Sequence, residues 1–122
     1  MTAMTNTEMI YREMKMPSLK ITHGTWEELQ QAAKMIREQV FIQEQNIAAE
    51  DEWDEQDEIA VHFVVYEQDQ AIATARLLQN HSIGRVAVLK SHRGLGVGKV
   101  LMQAVIAYAQ QQQRLFLVLS SQ

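Results

Sequence analysis

The sequence predicts an α+β domain, one mixed and mostly antiparallel sheet with helices on its faces. Three observations carry this. Ile59 to Tyr66, Ala71 to Leu78 and Ile83 to Leu89 are apolar runs joined by short polar turns, the pattern of an antiparallel meander. Thr25 to Gln45 repeats apolar residues at helical spacing. A glycine-rich turn then opens a second helix, and an apolar run follows it, so that strand, turn, helix and strand form a βαβ unit whose last strand pairs in parallel.

Residues 1–17 show no sustained period and end at the only proline, and they are expected to be a tail. Met14 and Met16 leave the natural start open. The domain is expected over 18–122. Leu19-Lys20-Ile21-Thr22 alternates like a short strand. Thr25-Trp26-Glu27-Glu28 is a capping-box pattern, in which Thr25 and Glu28 each satisfy the other's backbone N–H. Leu29, Ala32, Ala33, Ile36, Val40 and Phe41 form the apolar stripe of the helix behind it, with a break expected near Phe41 and a resumption through Gln45. In the second helix Val97, Leu101, Ala104, Val105 and Tyr108 share a face, and Leu115 to Leu119 is expected to be a buried strand.

Composition narrows the function. The chain has 122 residues, 47% hydrophobic and 21% charged, which suits one folded domain rather than a disordered chain. It has no cysteine, which removes disulfides, thiolate zinc sites and a cysteine nucleophile. No apolar run approaches the roughly 20 residues of a membrane span, and the first residues lack an apolar leader. A cytoplasmic protein with no membrane partner is the expectation. Net charge is −4 and no Lys/Arg-rich stretch occurs, which argues against nucleic-acid binding. Seven carboxylates surround Trp53, from Glu50 to Glu58. Such a run is usually a solvated loop, and the alternative is a negative rim that draws in a cationic amine.

Gly94, Gly96 and Gly98 alternate between a strand and a helix. Glycine lets the backbone turn tightly and bring its N–H groups against a ligand, and the helix start adds unpaired donors and the positive end of a dipole. A pyrophosphate fits there, with charge-assisted contacts from Arg93 and Lys99. Other phosphate motifs fit worse. In a Walker A register Arg93 replaces the first glycine and Val100 the magnesium-holding hydroxyl. In the dinucleotide fingerprint Lys99 falls where the third glycine belongs. A plain structural turn is the remaining alternative.

Ile83-Gly84-Arg85-Val86-Ala87-Val88-Leu89, followed after a short spacer by Arg93-Gly94-Leu95-Gly96-Val97-Gly98, resembles motif A of the GNAT N-acetyltransferases. Arg93, Gly96 and Gly98 fill that motif's fixed positions. The resemblance runs from about Leu19 to Gln122. Phe41-Ile42-Gln43-Glu44-Gln45, the acidic segment, Asp57 and His62 also resemble a small-protein branch of the family.

The resemblance implies acetyl-CoA as co-substrate, no metal, and a small-molecule or peptide amine as acceptor. It implies that the backbone of Val86, Ala87 and Val88 pairs with the pantetheine arm, with a bulge aiming one amide at the thioester carbonyl. The amides of Gly94, Leu95, Gly96, Val97, Gly98 and Lys99, with Arg93, would cradle the pyrophosphate. In the family a helix and further strands follow the last strand seen here, so the GNAT-like fold is expected to be C-terminally truncated. An oligomer through the exposed C-terminal edge is expected in consequence. Catalytic residues are not identified: Glu44 and His62 are candidates, against the plainer readings of a helix-surface carboxylate and a hydrogen-bonded core histidine. Tyr66 and Tyr108 are expected to pack by their rings. Two functions stand, an N-acetyltransferase and a non-enzymatic CoA-binding or assembly module. The glycine spacing does not support a third, an NAD- or ATP-binding domain.

Overall fold

The computed structural model describes residues 19–119. The expected tail, and its boundary at residue 17, lie outside them. The elements are β1 (Leu19–Gly24), α1 (Trp26–Arg37) continuing into a π-helical segment (Glu38–Glu44), a short α2 (Ala49–Glu52), a 3-10 turn (Glu55–Glu58), β2 (Val61–Glu67), β3 (Gln70–Leu77), β4 (Ser82–Val88), a 3-10 turn (Lys90–His92), α3 (Val97–Gln111) and β5 (Val118–Leu119). The sheet order is β1-β2-β3-β4-β5; the first four strands pair antiparallel and β5 runs parallel to β4. The predicted mixed sheet is therefore present.

Both faces of the sheet are covered, which explains strands that are nearly continuous apolar runs. Along β2, Phe63 and Val65 pack with Leu101 and Val105 of α3, while Val64 packs with Ile36, Val40 and Phe41 beside α1. This is the two-residue alternation of a strand. The capping box starts α1 as expected: Thr25 N–H donates to Glu28 Oε1 at 2.9 Å, and Glu28 N–H donates to Thr25 Oγ1 at 3.2 Å.

Two elements differ from expectation. The first helix does not break near Phe41. It widens into the π segment at Glu38, which keeps Val40 and Phe41 in the core and carries Glu44 outward. Asn46, at φ 59°, ends it; asparagine tolerates that left-handed conformation better than most residues. The last strand is parallel but short and exposed. Leu115 is 95% exposed and Leu119 66%, because nothing among the described residues packs over them. The strand is held in register by Val118 N–H donating to the His81 carbonyl and by Arg114 donating to the Leu78 carbonyl, both at 2.9 Å.

Candidate functional site

The site is built from one edge of β4 and the turn that follows it. Among the described residues β5 pairs with β4 only at Ser82 and Ile83, which leaves the edge from Gly84 to Val88 without a partner strand. Val86 and Val88 are half-buried and Ala87 is buried. Between Thr74 and Arg76 of β3 the register slips. Thr74 faces Ala87 while Arg76 faces Gly84, so β4 carries one extra residue. That bulge contains Arg85, at φ 51°.

Beyond β4 the chain makes the Lys90–His92 turn, and Arg93 donates from Nε to the Val88 carbonyl at 2.9 Å. Gly94 (φ 77°) and Gly96 (φ 87°) both take the left-handed conformation, and Gly96 caps α3 without any side-chain acceptor. The N–H groups of the first turn of α3 therefore have no intrahelical partner. Gly98 is different. Its φ is not positive, and a Cβ there would lie 3.9 Å from Val88 Cγ2, an ordinary contact. The conformation at Gly94 also removes the room for alanine that the open space around it suggests, since a side chain at φ 77° is strained.

The sequence candidates fall into two places. Glu44 meets Arg93 in a bidentate ion pair, both oxygens at 2.8 Å from guanidinium nitrogens. The hydrogen bonds from Arg93, with its charge and that of Lys90, hold the Glu44 carboxyl below the usual carboxylate range, so it is a poor proton acceptor near neutral pH. Beside it lies a cavity of about 360 Å³ touching Met35, Glu44, Leu89, Lys90 and Ser91. His62 lies apart, 1% exposed, its ring tilted against that of Trp26 with centroids 4.8 Å apart, and donating from Nε2 to the Asp57 carbonyl at 2.8 Å. It is placed as a core histidine.

Burial lowers the His62 pKa, outweighing the Asp57 carbonyl and charge that raise it. Below about 6.5 the unfolded chain takes up a proton that the folded chain refuses, so stability falls with pH from there. Urea titrations from pH 7.5 to 5 should show this fall, and His62→Gln, whose amide can keep the Asp57 contact, should flatten it.

The acidic segment is not a solvated loop. Glu52 and Asp57 are 2% exposed and are paired with Arg37 at the end of α1 and with Arg76 and Arg85 of the largely apolar strands β3 and β4. The contacts close into a ring of six alternating charges: Arg37–Glu52 at 3.0 Å, Glu52–Arg85 at 3.0 Å, Arg85–Asp54 at 3.4 Å, Asp54–Arg76 at 2.7 Å, Arg76–Asp57 at 2.9 Å and Asp57–Arg37 at 2.7 Å. Arg37 is also flanked by two rings, with its guanidinium carbon 5.6 Å from the Trp26 centroid and 4.9 Å from that of Trp53. Burial pushes the Asp57 carboxyl up, but Arg37 and Arg76 outweigh it and hold it low. Three carboxylates proposed for a negative rim are thus neutralised internally, leaving Glu50, Glu55 and Glu58 exposed. Sequence reasoning missed the arginines. The available signal was a lone charged residue within each of the strand runs, Arg76 and Arg85, which requires a buried partner; Arg37, in a polar-faced helix, gave none.

Another cavity, of about 810 Å³, lies between α1 and the β2–β3 turn, lined by Glu28, Leu29, Tyr66, Gln68 and Asp69 among others. None of the residues proposed from the sequence lines it. No group of three or more His, Cys, Asp or Glu residues able to hold a metal occurs among the described residues.

Residues 25–122 match the acetyltransferase (GNAT) family. The chain belongs to that family. It is 40% identical over 82 residues to the uncharacterized N-acetyltransferase YjcF of Bacillus subtilis, a match covering 65% of this chain and 59% of YjcF. Across three Bacillus subtilis relatives the match covers 52–59% of their length, so the chain spans little more than half of them. Among solved structures, one from Lactobacillus plantarum is 34% identical with TM-score 0.68, covering 77% of this chain and 68% of that one. An acyl-CoA N-acyltransferase from Pseudomonas aeruginosa is 28% identical with TM-score 0.69, covering 78% and 73%. GNAT proteins generally use acetyl-CoA as co-substrate, and the open β4 edge and glycine turn lie in the segment that resembles motif A.

Proposed function

We propose that this chain carries the acyl-donor site of an N-acetyltransferase, which passes an acetyl group from acetyl-CoA to a small-molecule or peptide amine. The observation that carries the reading is the continuity of the site. An unpartnered stretch of β4 runs directly into two glycines at positive φ and the uncapped start of α3. The open edge offers backbone donors and acceptors to the pantetheine arm, and the turn offers N–H groups to the pyrophosphate. In the transfer the neutral amine attacks the thioester carbonyl, a C–N bond forms and the C–S bond breaks. The amine's proton leaves to a base or water, and the departing thiolate takes up a proton.

In the structure Glu44 holds the Arg93 guanidinium, so a bound pyrophosphate must share or replace that partner. Calorimetry with CoA tests the site: wild-type protein should bind, and Glu44→Gln should bind about 3–10-fold more tightly because one negative charge is removed beside an anion. Absence of binding by the folded wild-type protein would overturn the reading.

The second reading, a CoA-binding module without turnover, draws on the placement of Glu44 and His62, both engaged elsewhere. Acetyl-CoA consumption over an amine panel, with binding measured in parallel, separates the two. The exposure of Leu115, Phe116, Val118 and Leu119 supports a homo-oligomer through the β5 edge, which sedimentation at increasing concentration tests. No helix among the described residues is long and apolar enough to cross a membrane. Cytoplasmic location is part of the proposal.

A further inference from the structure

The charge ring and the open strand edge meet at one residue. Arg85 is the bulged residue of β4, at φ 51°, a left-handed conformation that is strained for an L side chain. Its side chain reaches into the acidic segment, with Nε 3.0 Å from Glu52 Oε1, and one terminal nitrogen 3.2 Å from the Glu52 carbonyl and 3.4 Å from Asp54 Oδ2. Glu52 is fixed in turn, because Arg37 binds both its carboxylate and its carbonyl. A strained backbone residue is therefore tied to an internally neutral network that is buried at Arg37, Glu52, Asp57 and Arg76. Strain of this kind persists where the surroundings over-determine it.

The direction of the neighbouring amides follows from the strand. The Val88 carbonyl points to the open edge, where Arg93 donates to it. The backbone groups of alternate residues in a strand point the same way, so those of Val86, two residues back and directly after the bulge, face that edge too.

We infer that Arg85 is a positioning residue for acyl transfer. It fixes the β4 bulge, through Glu52 and Asp54, so that the Val86 amide faces the thioester carbonyl. The inference rests on the acyl-donor reading above. In this role the acidic segment acts on the donor side of the reaction, through the backbone, and not by attracting the acceptor. The pyrophosphate cradle lies beyond Val88 and is separate from the ring.

The test uses Arg85→Ala, which removes the contacts that hold the bulge while an L side chain still disfavours positive φ, and Arg85→Gly, which removes the contacts but adopts that φ without strain. Isotope-labelled protein is titrated with CoA and with acetyl-CoA, and turnover is measured with an acceptor from the amine panel. Arg85→Ala should lower kcat roughly 10–100-fold, below the 10²–10³ that loss of a dedicated oxyanion donor costs. KM for acetyl-CoA and the affinity for CoA should stay within about twofold, since the cradle is untouched. The Val86 amide shift that acetyl-CoA produces and CoA does not should vanish in Arg85→Ala and return in Arg85→Gly, with part of the rate. A wild-type Val86 shift in Arg85→Ala overturns the inference even if no acceptor is found. A KM increase matching the loss of rate does so too. Failure of the wild-type protein to bind acetyl-CoA instead overturns the acyl-donor reading, and the inference falls with it.

Discussion

Arg37→Met is expected to destabilise the protein by about 3–5 kcal/mol, the largest effect of any single substitution considered for its fold. Arg37 is 1% exposed and donates to Glu52 Oε1, to the Glu52 carbonyl and to both oxygens of Asp57. Methionine fills much of the volume between Trp26 and Trp53 but leaves two buried carboxylates short of a cation. Removing one partner of a buried pair is far costlier than replacing the whole group with apolar residues. Lysine is not a substitute, since one ammonium cannot span both carboxylates as the planar fork does. Urea unfolding should show the midpoint displaced with little change in slope, and adding Glu52→Gln should recover part of the loss. A displacement worth less than about 1 kcal/mol would mean that the ring contributes little and that packing alone holds the acidic segment.

Gly96→Val is expected to weaken CoA binding by about 10–100-fold or more, the loss of one or two charge-assisted hydrogen bonds. Gly96 sits at φ 87° where α3 begins. A β-branched residue there is strained by about 1–3 kcal/mol, and its side chain stands in the path of a ligand approaching the first-turn amides. Gly98→Ala is the control. Gly98 lies inside the helix with room for a Cβ against Val88 and keeps its N–H as alanine, so alanine should stabilise the fold by up to about 1 kcal/mol and cost far less CoA affinity than Gly96→Val. The fold-stability cost of Gly96→Val and its binding loss are read separately by urea unfolding and calorimetry. Equal affinity in folded Gly96→Val and wild-type protein would remove the pyrophosphate from this turn.

The sheet was legible because each of its elements carries a local signal. Thr25 and Glu28 formed the capping box that their spacing predicts. Phe63, Val64 and Val65 alternate between the two faces as strand residues must, and the glycines at 94 and 96 occupy the left-handed conformations that a tight turn before a helix demands. The charge ring was not legible. Its six members lie in α1, the acidic segment, β3 and β4, and no short-range period links Arg85 to Asp54 and Glu52 across 31 and 33 residues of chain. Only the topology brings them together. The same holds for Glu44 and Arg93, which are 49 residues apart and meet because the π segment ends beside the turn after β4. At Arg85 local preference and observed conformation conflict, as an arginine in an apolar run suggests regular strand and not φ 51°. Such conflicts concentrate at sites held in place by the rest of the fold. The run Leu115 to Leu119 misled in the opposite sense: apolar composition implied burial, and the described structure leaves most of it exposed.

The most direct measurement of the acyl-donor site is an amide-by-amide titration of the isotope-labelled protein with acetyl-CoA. The largest perturbations should fall on Val86 to Val88 along the open edge and on Gly94 to Lys99 at the turn, with the Arg93 side chain shifting as it leaves or shares Glu44. Perturbations confined to the cavity between α1 and the β2–β3 turn, around Leu29, Tyr66 and Asp69, or no binding at all, would contradict the account.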